Sequence, residues 1–322
     1  MNPVRLSLLT AALAGAVLAP AAAAQGAPTT LATELAPTHV AAWNGTVMWS
    51  RFDPVTGTYA LVKSVDGGPA TAVGVAPRTS APFDIDLGTN RGGSTFAVYT
   101  RDDGDIYRLN VATGRETKLD KLSSPRQVER SPTIQRGEIA FIRHDRGFDQ
   151  LRIGNTTRGS KGSRLIVKRR SILSAELGIR HVAYVISVPS EFRELRIHVR
   201  NISTGADRMV YRAKSGGANA AGITRPTYIA RAEGFLWART NNGSGTGNRL
   251  VRYTLRGSKL TYAAGSPRYN STAWAGGALG AATASSIDAG DTQGACPDNS
   301  ITATVNYCKV EVTGPLQFNI EP

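Results

Sequence analysis

Gly137-Glu138-Ile139-Ala140-Phe141 is a short apolar strand that opens on a glycine and closes on an aromatic ring, and the chain repeats it. The equivalents are Gly45-Thr46-Val47-Met48-Trp49, Thr95-Phe96-Ala97-Val98-Tyr99, Arg180-His181-Val182-Ala183-Tyr184 and Glu233-Gly234-Phe235-Leu236-Trp237, with a degenerate sixth at Gly277-Ala278-Leu279-Gly280-Ala281. Their final residues lie 50, 42, 43, 53 and 44 positions apart. Self-similarity at such a period marks a repeat architecture, in which one supersecondary unit buries its apolar face against the next.

Working outward from the aromatic, each unit has the same interior. A second strand follows, as in Ile106-Tyr107-Arg108-Leu109 or Leu195-Arg196-Ile197-His198-Val199, with the apolar and charged alternation of a half-buried strand. A third comes after a turn (Arg164-Leu165-Ile166-Val167), and one more precedes the aromatic (Pro132-Thr133-Ile134). Asn110-Val111-Ala112-Thr113-Gly114 and Asn201-Ile202-Ser203-Thr204-Gly205 share a turn form with glycine at the left-handed position, and Asp53-Pro54-Val55-Thr56-Gly57 repeats it earlier in its unit. Four strands per unit, with no helical periodicity between units, predict an all-β fold: a six-bladed β-propeller of four-stranded antiparallel blades. The expected blades are 38–82, 83–126, 127–170, 171–220, 221–268 and 269–322, in one domain spanning 25–322, with residues 28–36 adding a strand that closes the ring.

Two of these stretches carry a family resemblance. Pro132-Thr133-Ile134 followed by Gly137 to Phe141, and Asp105-Ile106-Tyr107-Arg108-Leu109-Asn110-Val111-Ala112-Thr113-Gly114, resemble the repeats of TolB-like six-bladed propellers. Gln135-Arg136-Gly137 stands where that family carries a Ser-Pro-Asp-Gly turn. The resemblance implies a periplasmic or secreted interaction module and names no partner.

The first residues fit that compartment. Arg5, an apolar stretch from Leu6 to Leu18 and a small-residue run to Ala24 read as a signal peptide over 1–24, cleaved near Ala24. The stretch is too short for a membrane span, and localisation in the cell envelope or outside the cell follows. The two cysteines, Cys296 and Cys308, bracket a turn-rich segment and are expected to form a disulfide.

The net charge of +14 is unevenly spread. Residues 25–125 hold nine basic and ten acidic residues, 126–268 hold 27 and nine, and 269–322 hold one and five. Within the basic middle, Arg158, Lys161, Arg164, Lys168, Arg169 and Arg170 form the candidate ligand-binding patch, suited to an anionic envelope polymer. Nucleic acid is not expected, because no aromatic residues interleave with these charges.

Catalytic chemistry lacks its parts. His39, His144, His181 and His198 are dispersed, and no metalloprotease, nucleophile-elbow or phosphate-loop motif occurs. Asp102-Asp103-Gly104-Asp105 reads as a β-turn, since it lacks the later glutamate of a calcium loop. The expectation is an exported, non-enzymatic binding or scaffolding propeller without cofactor or metal, whose partner is an unknown protein or anionic polymer. The alternative is a propeller enzyme acting on a glycan, with Asp84 and Asp86, which share a face of one strand, as acid and base.

Overall fold

The computed structural model describes residues 29–36, 38–156, 162–189, 194–216, 219–220, 222–229, 234–240, 249–255, 259–263, 268–276, 280–287, 307–313 and 319–320. The signal peptide, Cys296, Arg158 and Lys161 lie outside them, so the disulfide and the signal rest on sequence alone.

Among the described residues every regular element is a strand. After β1 (Thr29–Glu34) come five antiparallel blades built from consecutive strands. The first comprises β2 (Val40–Trp43), β3 (Thr46–Asp53), β4 (Thr58–Val65) and β5 (Thr71–Ala72). The second comprises β6 (Asp86–Thr89), β7 (Thr95–Thr100), β8 (Ile106–Asn110) and β9 (Glu116–Lys118). The third is β10 (Glu129–Gln135), β11 (Glu138–Asp145), β12 (Phe148–Asn155) and β13 (Ser163–Arg169). The fourth is β14 (Ile172–Leu177), β15 (His181–Val188), β16 (Glu194–Asn201) and β17 (Asp207–Gly216), extended by β18 (Asn219–Ala220). The fifth contains β19 (Gly222–Ile223), β20 (Thr227–Ile229), β21 (Gly234–Thr240), β22 (Arg249–Thr254) and β23 (Lys259–Ala263).

The number of consecutive-strand blades is therefore five, one fewer than the six repeats predict. The remaining four-stranded sheet is composite: β24 (Arg268–Gly276), β25 (Gly280–Ile287) and β26 (Tyr307–Thr313) are completed by β1, which pairs antiparallel with β26. A final strand, β27 (Asn319–Ile320), pairs with β23 of the fifth blade. Among the described residues no strand follows β26 within this sheet, and β1 takes its fourth position.

The repeated aromatics organise the core. Trp49, Tyr99, Phe141, Tyr184 and Trp237 are each fully buried. The second strand of a blade is covered on both faces by neighbouring sheets, so it reads as a continuous apolar run. Tyr99 packs with Ala41, Met48 and Leu61 of the first blade, Phe141 with Phe96 and Val98 of the second, and Tyr184 with Ile142 and Leu151 of the third. Trp237 follows suit against Val185 and Ile197 of the fourth blade, and Trp49 packs against Val310 of β26 with Leu31 and Ala32 of β1. Each ring thus faces the preceding sheet, and every blade-to-blade interface has its own apolar core.

Candidate functional site

The first strand of each blade lines the axis, and there one register position recurs. Ala41, Asp86, Thr133, Glu176 and Thr227 each stand opposite the residue that precedes the buried aromatic of the next strand. Inner strands of adjacent blades share no ladder, so their backbone N–H groups need side-chain acceptors. Asp86 Oδ2 accepts from Ile134 N at 2.8 Å, Thr133 Oγ1 from Leu177 N at 3.0 Å, and Glu176 Oε1 from Tyr228 N at 3.0 Å. In every case the donor follows the equivalent position of the next blade, so the side chains form a chain of latches around the axis. Gly88 permits the approach, since a Cβ there would lie 2.0 Å from Ile134 O.

Asp84 is committed in the same way. Its Oδ1 accepts from Thr100 N at 2.9 Å and Thr100 Oγ1 at 2.8 Å, and its Oδ2 from Ser131 N of the third blade at 2.7 Å. The structure therefore brings both predicted carboxylates to the axis and occupies both with backbone donors.

Arg225, just ahead of β20, reaches across the centre. Its guanidinium donates to Ala175 O at 3.1 Å, Pro132 O at 2.8 Å and Ile85 O at 3.5 Å, in three different blades, and lies 3.5 Å from Glu176 Oε2. Burial raises the Asp86 carboxyl, with Arg225 opposing. Burial, then the nearby Asp86 charge, raise Glu176 as well. Loss of solvation, then the Arg225 charge, lower His39, with Asp84 opposing. The sequence analysis missed Glu176, Thr133 and Arg225. For the first two the available signal was a polar residue eight positions before the aromatic.

At one end of the axis a cleft of about 420 Å³ opens between the second and third blades, walled by Arg78, Asp102, Gly104, Val128 and Arg130 among others. Its charges are paired, within the wall or with residues just behind it. Arg78 Nε lies 3.2 Å from Asp102, Arg143 Nε 2.7 Å from Glu129, and Arg130 Nη2 2.7 Å from Asp149. Asp149 also holds Nδ1 of the exposed His144 at 3.0 Å. Asp102 to Asp105 form a turn with Gly104 at φ 77°, and Lys118 bridges Asp103 and Asp105. No group of three potential metal ligands occurs among the described residues.

Of the predicted basic patch, Arg164, Lys168 and Arg169 lie on β13, with Arg170 directly after it, and all four are exposed. Lys168 stands over the Phe148 ring at 4.5 Å and Arg169 lies 3.8 Å from Asp207. These residues occupy the outer edge of the third blade, remote from the axis.

The architecture has counterparts among solved structures. TolB from Acinetobacter baumannii superposes with a TM-score of 0.50 at 12% identity, over 71% of this chain and 55% of that one. The fold is that of the TolB-like propellers. A puromycin hydrolase matches with a TM-score of 0.47 at 12% identity (78% and 50% of the two chains), and an oligogalacturonate lyase from Vibrio parahaemolyticus with 0.46 at 8% identity (89% and 98%). The chain spans about half the length of the first solved structures it matches. No protein-family model and no curated protein matches it by sequence. Among the described residues no helix is long and apolar enough to cross a membrane.

Proposed function

We propose that this chain is an exported binding propeller that holds a protein or an anionic envelope polymer on its surface and catalyses no reaction. The observation that carries the reading is the occupation of the axial carboxylates. Asp84, Asp86 and Glu176 all accept backbone N–H bonds from a neighbouring blade, which makes them fasteners of the ring and leaves no carboxyl pair free for proton transfer. The leader-like first 24 residues support delivery to an extracytoplasmic space. In this reading the composite sheet acts as the sixth blade. It packs on the first blade through Val310, and β24 runs beside β20 and β21 of the fifth, so one domain closes on itself through β1.

The test pairs turnover with retention. The protein is incubated with a panel of envelope glycans and passed over immobilised polyanion at low and physiological salt. We expect no glycan cleavage, and retention that weakens as salt screens the exposed charges. Cleavage that vanishes in Asp84→Asn with the fold intact overturns the reading.

A further inference from the structure

Strands of a blade alternate in direction, so one end of the propeller collects the turns between first and second strands and between third and fourth. Backbone bonds knit these turns together: Asp66 N to Gly45 O at 2.9 Å, Gly137 N to Thr89 O at 2.7 Å, Thr156 N to Gly137 O at 3.0 Å and Ile202 N to Arg180 O at 2.9 Å. The cleft lies at the opposite end.

The two ends treat arginine differently. At the cleft end Arg51, Arg78, Arg130, Arg143, Arg196 and Arg212 each pair with a carboxylate. Arg146, 3.9 Å from Asp145, and the exposed Arg126 and Arg170 are the departures there. At the turn end Arg91, Arg115, Arg136 and Arg180 are all exposed, and none has an ion pair among the described residues. The acidic side chains at that end do not compensate them. Glu116 is held by Tyr99 and Arg101, Asp207 by Arg200 and Tyr184, which leaves Asp66 in the first blade and Glu138.

Two further observations sharpen the site. Arg91 and Arg136 come from touching turns of adjacent blades, because a Cβ on Gly137 would lie 3.6 Å from Arg91 N. Arg136 itself sits at φ 52°, in the tight turn whose first-blade counterpart is Asn44-Gly45 at φ 45° and 81°. An arginine in that left-handed conformation is strained where asparagine is at ease, and the turn holds the Arg136 side chain out at the surface beside Arg91.

We infer that this end docks a linear phosphate-bearing polymer, gripped by Arg91, Arg115, Arg136 and Arg180. The inference rests on the binding reading above and names its surface and partner. The planar guanidinium matches phosphate oxygens two at a time, and four such groups spread over three blades suit a chain of repeating charges. A glycan would call for exposed rings to stack on its sugars. Phe148, at the cleft end, is the exposed large aromatic among the described residues. A membrane would call for a contiguous apolar wedge, and towards this end the half-exposed Val65, Leu165 and Met209 stand on three different blades.

The test uses the whole chain and labelled long-chain inorganic polyphosphate, read by fluorescence anisotropy. We expect binding at low salt that weakens about tenfold or more in R91Q/R115Q/R136Q/R180Q, all four positions being on the surface. The outer-edge variant R164Q/K168Q/R169Q/R170Q should bind within about twofold of the parent. Circular dichroism of both variants should match the parent. If the outer-edge variant loses binding and the turn variant keeps it, the surface assigned here is wrong while the binding reading survives. If the parent ignores polyphosphate and binds polygalacturonate or anionic phospholipid vesicles, the partner class is wrong. Binding to none of the three removes the inference and, with it, the anionic-polymer half of the reading beneath it.

Discussion

Replacing Arg225 with methionine tests whether the centre of the propeller is a structural lock. The guanidinium donates to three carbonyls, in the second, third and fourth blades, and faces Glu176 at 3.5 Å. Methionine keeps the apolar stem and removes every one of these interactions. Breaking a buried ion pair by deleting one partner costs about 3–5 kcal/mol, because the other charge stays buried without compensation. Unsatisfied carbonyls add to that. We expect a loss of about 4 kcal/mol, a large fraction of the roughly 5–15 kcal/mol that holds a folded protein together. Urea titration followed by tryptophan fluorescence reads it directly, since Trp49 and Trp237 are fully buried. The loss should also depend on pH. Burial raises the Asp86 and Glu176 carboxyls, so the folded protein holds their protons more tightly than the unfolded chain does. Stability therefore falls as pH climbs from the ordinary carboxylate range, near about pH 4, toward the raised values. Without Arg225 that fall steepens, and the gap between variant and parent should be wide at neutral pH and narrow on acidification. A loss below about 1 kcal/mol, or one that is flat with pH, refutes the lock.

Four other substitutions probe neighbouring features. Gly88→Ala puts a methyl 2.0 Å from the Ile134 carbonyl, a backbone atom that cannot swing aside, and should cost about 2–3 kcal/mol by thermal unfolding; a neutral result would mean that the inner strands are not in contact. Glu34→Ala leaves the buried Trp49 Nε1, now bonded at 2.7 Å, without an acceptor and should cost about 1–3 kcal/mol, with faster amide exchange in β1; unchanged exchange would detach β1 from the first blade. Arg136→Asn relieves the left-handed strain and should gain about 1 kcal/mol while weakening polyphosphate binding. Arg146→Asn, at φ 50° on the cleft end, should gain stability alone, and equal binding losses in both would deny the turn end its role.

Legibility in the sequence followed the physics of burial. The aromatic at the end of each second strand is sandwiched between two sheets, and that demand writes an apolar run at a fixed interval. Asn110 and Asn201 were equally readable: each side chain accepts N–H bonds from the residues two and three positions on, and the glycine four residues on takes φ 69° or 76°. The axis left a fainter mark. Its register position holds alanine, aspartate, threonine, glutamate and threonine in turn, because any side-chain oxygen serves as acceptor where a latch is made, so no single residue type marks it. Asp84 and Asp86 were found as a pair, but a carboxylate fastening a backbone looks the same in one dimension as one awaiting a substrate. Arg225 was invisible for a different reason: it acts across more than 90 residues on Pro132, and no local pattern encodes that reach. The unpaired turn-end arginines were blurred by the charge count, which weighs a neutralised arginine and a bare one alike.

The junction of β1 with β26 has a kinetic corollary. Thr29–Glu34 must wait for Tyr307–Thr313 before their ladder can zip, so for a chain delivered N-terminus first the earliest strand to arrive is the last to find its place. Pairings so distant along the polymer close slowly, and until this one forms the five blades stand as an open arc with a bare flank. The interval before closure is when aggregation or proteolysis would claim the chain.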